Sequence, residues 1–523
     1  MTHIRNLLFI TLALSIVACK KEKTTWFTNW NTPLVHGKLT LSDVKKVDIN
    51  QNSENFASVF FNDTIYSFKV DTLIKLPDTT LIQDAVISFA SLTLGPGNLI
   101  QNQNIDQLYD LGEIALKRVI VDEGTAIITI TTPWQGKSKV VFDFPKTKEG
   151  DGSPFTRTYH LPAGSIANPS VNVDTIDMAG FDFDLTGSTG GLVNNILADM
   201  YIYSDEETNY ITITNQDTVR VVLDFRDMTA RYAKGYFGSY SITDTTTLDI
   251  SQMKQIISGS IALDSINLDL VIQNGFKILT QATFSQFKGI NSNTSNIINL
   301  TFPQLNSALN INPSTGSLYN HQASLYHIFI NSGNSNILAF IENLPDKIDI
   351  AFTIDINPYG NINNGADEYY SDSSLDLLLQ GDFPLHFSAN QLTLVDTMDF
   401  SYDANQSATP QSAMITLKYK NKFPLGATAK LSFLDNAKAL LNEVETQSQI
   451  NSGVYNSTTN TTTVTEGEMV FSLNNDLINN LENAKYITLE IALSTDQSST
   501  IKFNIDDYFD FNLFSDLNIK ITL

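Results

Sequence analysis

Apolar and polar residues alternate with a period of two along most of this chain, in short runs broken by Asn, Asp, Gly and Thr. Successive side chains of an extended strand point to opposite faces, so this pattern buries one face and wets the other, and it predicts half-buried antiparallel strands. Residues 210–214, a three-residue break at Asn215, Gln216 and Asp217, and residues 219–225 read as a hairpin. Residues 126–131 followed by 139–144 read the same way. The fold class expected is mainly β: tandem antiparallel β-sandwich-like domains with a few short helices. Helical periodicity is confined to 336–343, 436–446 and 475–485. Alternating phenylalanines, Phe142 with Phe144 and Phe181 with Phe183, read as sandwich core.

Two internal echoes point to repeated units. Val-Val-Phe-Asp-Phe at 140–144 resembles Val-Val-Leu-Asp-Phe at 221–225. Residues 268–278 and 415–425 share more, since each carries an alternating strand that ends in an asparagine, Asn274 or Asn421, before an apolar run restarts at Phe276 or Phe423. An asparagine side chain can hold a turn there and tolerates positive φ. A chain of 523 residues exceeds one compact domain. Polar runs bearing Gly or Pro at 145–162, 357–374, 403–412 and 448–463 read as loops or linkers. The expected order is a signal peptide over 1–18, a lipidated tether over 19–39, and β-rich domains over 40–228, 229–400 and 401–523.

The N-terminus supplies an address. One base, Arg5, precedes an apolar run over 7–18 that is too short to span a bilayer and suits a secretory signal. Ile16, Val17, Ala18 and Cys19 resemble the lipobox of bacterial lipoproteins, in which the cysteine receives the acyl chains. Cys19 is the one cysteine in the sequence, so intramolecular disulfides and cysteine-based zinc sites are excluded. Lys20, Lys21 and Glu22 follow, and with Cys19 they resemble the charged tetrad that exports Bacteroidota lipoproteins to the cell surface. The expected location is the outer membrane, lipid-anchored, on the extracellular face. Trp26, Phe27 and Trp30 come next, three large aromatics that are either a plug into the protein's own first sandwich or an anchor against a partner. Lys+Arg 32 against Asp+Glu 56 gives a net charge of −24, which sets the surface against nucleic acid.

Catalytic signatures are absent from the sequence. It holds no Gly-x-Ser-x-Gly elbow, no phosphate-binding Gly-x-x-x-x-Gly-Lys loop, no Gly-x-Gly-x-x-Gly and no His-Glu-x-x-His. His321 and His327 are the closest pair outside the signal, and along a strand they stand roughly 20 Å apart, too far to share a metal. The most ligand-like stretch is 355–368, where Asp355, Asn357, Asn361, Asp367 and Glu368 put hard oxygen donors on a glycine-bearing loop suited to structural Ca²⁺. Tyr359 and Ala366 stand where an EF-hand needs ligands, so that motif fails. Asp506, Asp507 and Asp510 form a second acidic cluster that either holds Ca²⁺ or solubilises a strand edge. No other cofactor is expected.

Stretch 30–44, opening Trp-Asn-Thr-Pro-Leu-Val-His-Gly, resembles the post-tether opening of large β-rich Bacteroidota outer-membrane lipoproteins. Stretch 421–435, Asn-Lys-Phe-Pro-Leu-Gly-Ala-Thr-Ala-Lys-Leu-Ser-Phe-Leu-Asp, is similar to a motif recurring in them and to strand pairs of the late-embryogenesis-abundant type of β-sandwich. The resemblance implies an exported assembly or binding component with no active site to carry over. The function expected is therefore a non-enzymatic docking or structural subunit of an outer-membrane assembly or export complex. Its partners are the bilayer, through the N-terminal acyl chains, and an outer-membrane β-barrel or other envelope protein. The alternative is a glycan-binding surface lipoprotein of a polysaccharide-uptake system, against which the scarcity of Trp counts.

Overall fold

The computed structural model describes residues 24–41, 48–51, 56–69, 78–400, 408–446, 448–473, 478, 483–496 and 500–522. Strands dominate and nearly all pair antiparallel, as the alternation predicts. They build three sandwiches with one shared topology.

The first sandwich takes its eight strands in order from Thr79–Ala85, Leu99–Leu108, Ala115–Thr132, Ser138–Lys148, Pro154–Leu161, Ser170–Asp177, Asn195–Ser204 and Val219–Tyr236. Its first strand pairs with the eighth, the eighth with the third and the third with the sixth. In the facing sheet the second pairs with the seventh, the seventh with the fourth and the fourth with the fifth. Two sheets in the orders 1-8-3-6 and 2-7-4-5 make a jelly roll. The middle sandwich repeats this order with Ala57–Phe68 as its first strand, Asn267–Asn274 third, Ser324–Asn331 sixth and Leu375–Pro384 eighth. Its other sheet runs Tyr240–Asp249, Lys347–Ile356, Thr280–Asn291, Asn296–Asn299. The last sandwich does so with Thr25–Thr40, Tyr508–Thr522, Ala408–Asn421 and Thr465–Leu473 against His386–Asp399, Tyr486–Ser494, Gly426–Leu434 and Leu440–Glu445.

The three jelly rolls are nested in sequence. Their first strands are laid down one after another, at Thr25–Thr40, Ala57–Phe68 and Thr79–Ala85, and the bodies then follow in reverse order. The segment expected to be a tether up to residue 39 is thus, from Thr25, an integral strand of the last sandwich. The expected cut between 228 and 229 falls inside the strand Val219–Tyr236, and the cut after 400 parts His386–Asp399 from its partner Tyr486–Ser494. Boundaries read from polar runs cannot register which distant strands pair. The middle sandwich also lends a strand to each neighbour: Asp367–Tyr370 extends the first and Ile256–Leu263 the last.

Local patterning is satisfied by this arrangement in ways that adjacency in sequence hides. Both expected hairpins are crossovers between sheets. Ile211–Thr214 pairs with Ser91–Leu94, and Val219–Tyr236 with other strands, although the turn between them closes with Asp217 N–H to the Thr214 carbonyl at 3.0 Å. Likewise Ala115–Thr132 and Ser138–Lys148 do not pair with each other; each has its own neighbours, and the short strand Asp182–Asp184 pairs with both and joins the two layers. The echo of 140–144 and 221–225 is therefore a fourth strand facing an eighth, both supplying inward Phe and Val, and not a repeated unit. The phenylalanines are core as expected: Phe144 stacks on Phe155 at 4.4 Å between centroids, and Phe155 meets Phe181 edge-on at 5.1 Å. Each such ring stabilises by roughly 2–3 kcal/mol through burial. Residues 154–161, expected in a loop, are a strand on the edge of the second sheet. Of the helices, Ile337–Glu342 forms as predicted. The stretch 436–446 instead contains the strand Leu440–Glu445, because Val444 alternates into the core beside Phe433. Most of 475–485 lies outside the described residues.

Candidate functional site

Cys19, Lys20, Lys21 and Glu22 lie outside the described residues. The aromatics that follow them are in place: Trp26 is 61%, Phe27 65% and Trp30 55% exposed. They sit on an edge strand whose partner is Tyr508–Thr522, with Trp26 opposite Ile521 and Trp30 opposite Leu517. Leu517 packs against the last core, so Trp30 and Trp26 share the core-side face but project past what the facing sheet covers. Phe27 is on the outer face, opposite Lys520 and beside the amide pair Asn29 and Asn518. The plug reading is thereby overturned, since a plug is buried. No helix among the described residues is long and apolar enough to cross a membrane.

The proposed calcium loop is a joint between the first two sandwiches. Asn357 and Asp367 are buried, but each carboxylate oxygen of Asp367 accepts an amide hydrogen, from Asn357 at 2.9 Å and from Asn363 at 3.0 Å. Asn361 accepts from the Gly365 N–H at 2.7 Å, and Asp355 stands apart on the strand Lys347–Ile356. Glu368 turns to Lys234 of the first sandwich at 3.5 Å and Lys277 of the middle one at 3.3 Å, and accepts the Tyr370 hydroxyl at 2.7 Å. Burial pushes the Glu368 carboxyl up, but Tyr370 and the two lysines outweigh it and hold the group below its ordinary range. Burial dominates at Asp367 and raises it. Ligand oxygens engaged by amide donors and a carboxylate engaged by two ammonium groups do not converge on a cation. The sequence put the right residues in one loop and missed that Asp367 and Asn361 are engaged within that loop, while Glu368 pairs with lysines far away in the chain.

The second acidic cluster is a joint too. Asp506 meets Lys422 at 2.6 Å, and Asp507, fully buried, accepts the Asn504 N–H at 2.9 Å; Asn504 is bridged to Phe56 of the middle sandwich. Asp510 faces His36 at 3.7 Å. His321 and His327 are separated as expected: His321 stacks on Tyr370, and His327 bonds Asp269 at 2.7 Å. Among the described residues no three His, Asp or Glu side chains are grouped as a metal site.

One surface was invisible in the sequence. The outer face of the middle sandwich carries a groove of about 470 Å³ with a polar floor between two phenylalanines, Phe60 and Phe329. Side chains from four strands alternate onto this face: Phe60 and Asn62, then Asp382 and Gln380, then Asn267 and Asp269, then Phe329. Phe60 and Phe329 are far apart in sequence, and only the pairing register brings their strands into one sheet.

No protein family matches the chain, and no curated protein does. A crystal structure of a protein from Parabacteroides distasonis, described as secreted, aligns over 94% of this chain and 99% of its own length at 11% identity with a TM-score of 0.25. A triple jelly-roll protein of an archaeal virus turret aligns over 82% of this chain and 90% of its own at 12% identity, with a TM-score of 0.10. Scores this low carry no argument.

Proposed function

We propose that this chain is a non-enzymatic, lipid-anchored outer-membrane lipoprotein, displayed on the cell surface, that docks an envelope protein through the strand next to its anchor. The observation that carries this reading is the exposure of Trp26, Phe27 and Trp30 on an ordered strand that starts six residues after Cys19. An extended chain covers at most about 3.5 Å per residue, so an acylated Cys19 keeps Trp26 within about 25 Å and Trp30 within about 40 Å of the membrane, where a β-barrel presents its rim. Large aromatics left in water beside a sheet edge are the usual anchors of an interface. The basic Lys20 and Lys21 add a small attraction to anionic headgroups.

The test is a detergent pull-down on the tagged protein, with Trp26, Phe27 and Trp30 replaced together by Ser. Retained melting temperature with loss of a co-purified outer-membrane protein is expected. Lowered melting with unchanged co-purification would make the rings structural. Palmitate-analogue labelling that survives Cys19→Ala would remove the anchor, and protection of the protein from protease added to intact cells would move it to the periplasmic face.

A further inference from the structure

A groove in the first sandwich, beside its joint with the middle one, carries a charge opposite to that of the chain. Lys117, Arg118, Lys146 and Lys148 line it together with Asp182, Asp184 and Thr186, around a space of about 470 Å³. In a sequence of net charge −24, four of the 32 basic side chains thus converge on one groove that holds only two acids. The pairing register sets their partners. Asp182 stands opposite Lys148 on the neighbouring strand, yet Arg118 reaches across to Asp182 and holds both its oxygens in a fork at 2.8 and 2.7 Å. Lys148 is left exposed, with no partner for its ammonium among the described residues. Lys117 finds only a neutral one, the Asn364 carbonyl at 2.6 Å. Lys146 donates to the Thr186 hydroxyl at 2.9 Å and stands 3.9 Å from Asp184. The glycine-rich turn 187–191 follows directly: Gly190 has a φ of +74°, and a Cβ there would lie 3.9 Å from the Lys146 ammonium, so a larger residue would screen that charge.

We infer that this groove is a binding site for an acidic oligosaccharide. Lys117 and Lys148 have no carboxylate partner, and an ammonium bonds most strongly to an anion. Asp184 is 47% exposed; one of its oxygens accepts from Thr186, and the other is open to a donor from the groove. A ligand with a carboxylate or sulfate for the lysines and hydroxyls for Asp184 in one small unit is an acidic sugar. Inorganic phosphate offers the charge without that set of donors, and an acidic peptide has its donors fixed along the backbone. A long polyanion such as nucleic acid would run out of the groove onto a surface of its own sign. The volume falls in the range of small-ligand sites. Lipid phosphates are disfavoured by the topology, since the strand next to the anchor belongs to the last sandwich and the exchanged strands tie the first one to the middle one. The groove and the aromatic strand lie in different sandwiches, and the inference stands or falls without the docking reading.

The purified protein on a microarray of uronic-acid, sulfated and neutral oligosaccharides tests it, followed by calorimetry with the best acidic binder, inorganic phosphate and a triglutamate peptide. Binding of acidic oligosaccharides without neutral ones is expected, and it weakens as salt is raised. Affinity is expected to fall at least fivefold in Lys148→Ala, to be lost in Lys148→Glu and to survive in Lys148→Arg. Melting temperatures stay unchanged in all three, because the Lys148 ammonium supports no contact of the fold. Absence of acidic-glycan binding, equal binding of neutral glycans, or affinity undiminished in Lys148→Glu would each overturn the inference. Phosphate or triglutamate binding as tightly as the best glycan would overturn the sugar assignment.

Discussion

The side chains of Asn274 and Asn421 make the same hydrogen bonds in two different sandwiches. Each accepts the N–H two residues ahead, from Phe276 at 3.0 Å or Phe423 at 2.9 Å. Each donates to the carbonyl four residues ahead, Ile278 at 3.4 Å or Leu425 at 2.8 Å, and to a distant carbonyl, Asn312 at 3.0 Å or Asn451 at 2.9 Å. Just beyond, Ser314 N–H bonds the Phe276 carbonyl and Gly453 N–H that of Phe423, both at 2.8 Å. The first sandwich keeps a reduced version: Thr132 accepts from Trp134 N–H at 3.4 Å, and Gly164 N–H bonds the Trp134 carbonyl at 2.6 Å. A buried side chain thus fixes the corner where the third strand of each jelly roll leaves its sheet.

Replacing Asn421 by Ala strands two carbonyls and one N–H at a buried corner and lowers stability by about 2–4 kcal/mol. Asp at the same place keeps the acceptor for Phe423 but sets a carboxylate against the Leu425 and Asn451 carbonyls, so Asn421→Asp is expected to be worse than Ala at neutral pH. Urea unfolding of the two variants checks the order. Equal, small losses would show that the corner is held by packing alone.

The last sandwich depends on a strand delivered from the other end of the chain. Removing residues 1–40 leaves Tyr508–Thr522 as an uncovered edge, which invites pairing between molecules. The shortened protein is expected to lose its lowest thermal transition and to aggregate, while the first and middle sandwiches melt as before. A synthetic peptide of residues 24–41 is expected to restore the lost transition. Unchanged melting without the strand would contradict the pairing.

The period-two alternation made the β class legible, and the paired asparagines made the repeat of two corners legible, because both are local patterns. The nesting was not legible. Thr79–Ala85 and Ala57–Phe68 carry the same kind of alternation as any other strand, and nothing within them states that one pairs with Val219–Tyr236 and the other with Leu375–Pro384. Leu440–Glu445 misled for a similar reason, since a short run of Leu440, Leu441 and Val444 fits a helical face as well as a strand until a neighbour supplies the ladder. The oxygen-rich loop at 355–368 was found, but its meaning rests on Lys234 and Lys277, whose approach depends on how two sandwiches meet.

At that meeting, Glu368→Gln keeps a partner for the Tyr370 hydroxyl and loses both lysine pairs. The lysines are 40% and 34% exposed, so each pair contributes no more than about 1 kcal/mol. Glu368→Ala also strands the buried hydroxyl, for a total of about 2–3 kcal/mol. The effect is expected at the joint. Limited proteolysis is expected to cut within 357–366 faster in Glu368→Ala than in Glu368→Gln, and in both faster than in the unaltered protein. Equal cutting rates would show that the strand pairing of Asp367–Tyr370 holds the joint by itself.

Asp507 sets a pH dependence of the opposite kind to that of Glu368. Burial pushes its carboxyl up to about 6, against the lowering effect of the Asn504 N–H and the Lys422 ammonium. In the unfolded chain an aspartate titrates near 3.9, so between about pH 4 and 6 the folded protein holds a proton that the unfolded chain has released. Stability from this group is fully present below pH 4 and is lost as the pH rises through 6, by roughly 2–3 kcal/mol. Asp507→Asn keeps an acceptor for Asn504 and cannot ionise. It is expected to raise the melting temperature of the last sandwich at pH 7.5, to leave it nearly unchanged at pH 4, and to flatten the slope between them. Calorimetric scans at both values check this. A variant less stable than the parent at pH 7.5 would mean that the Lys422 pairing at 3.8 Å outweighs the cost of burying the charge.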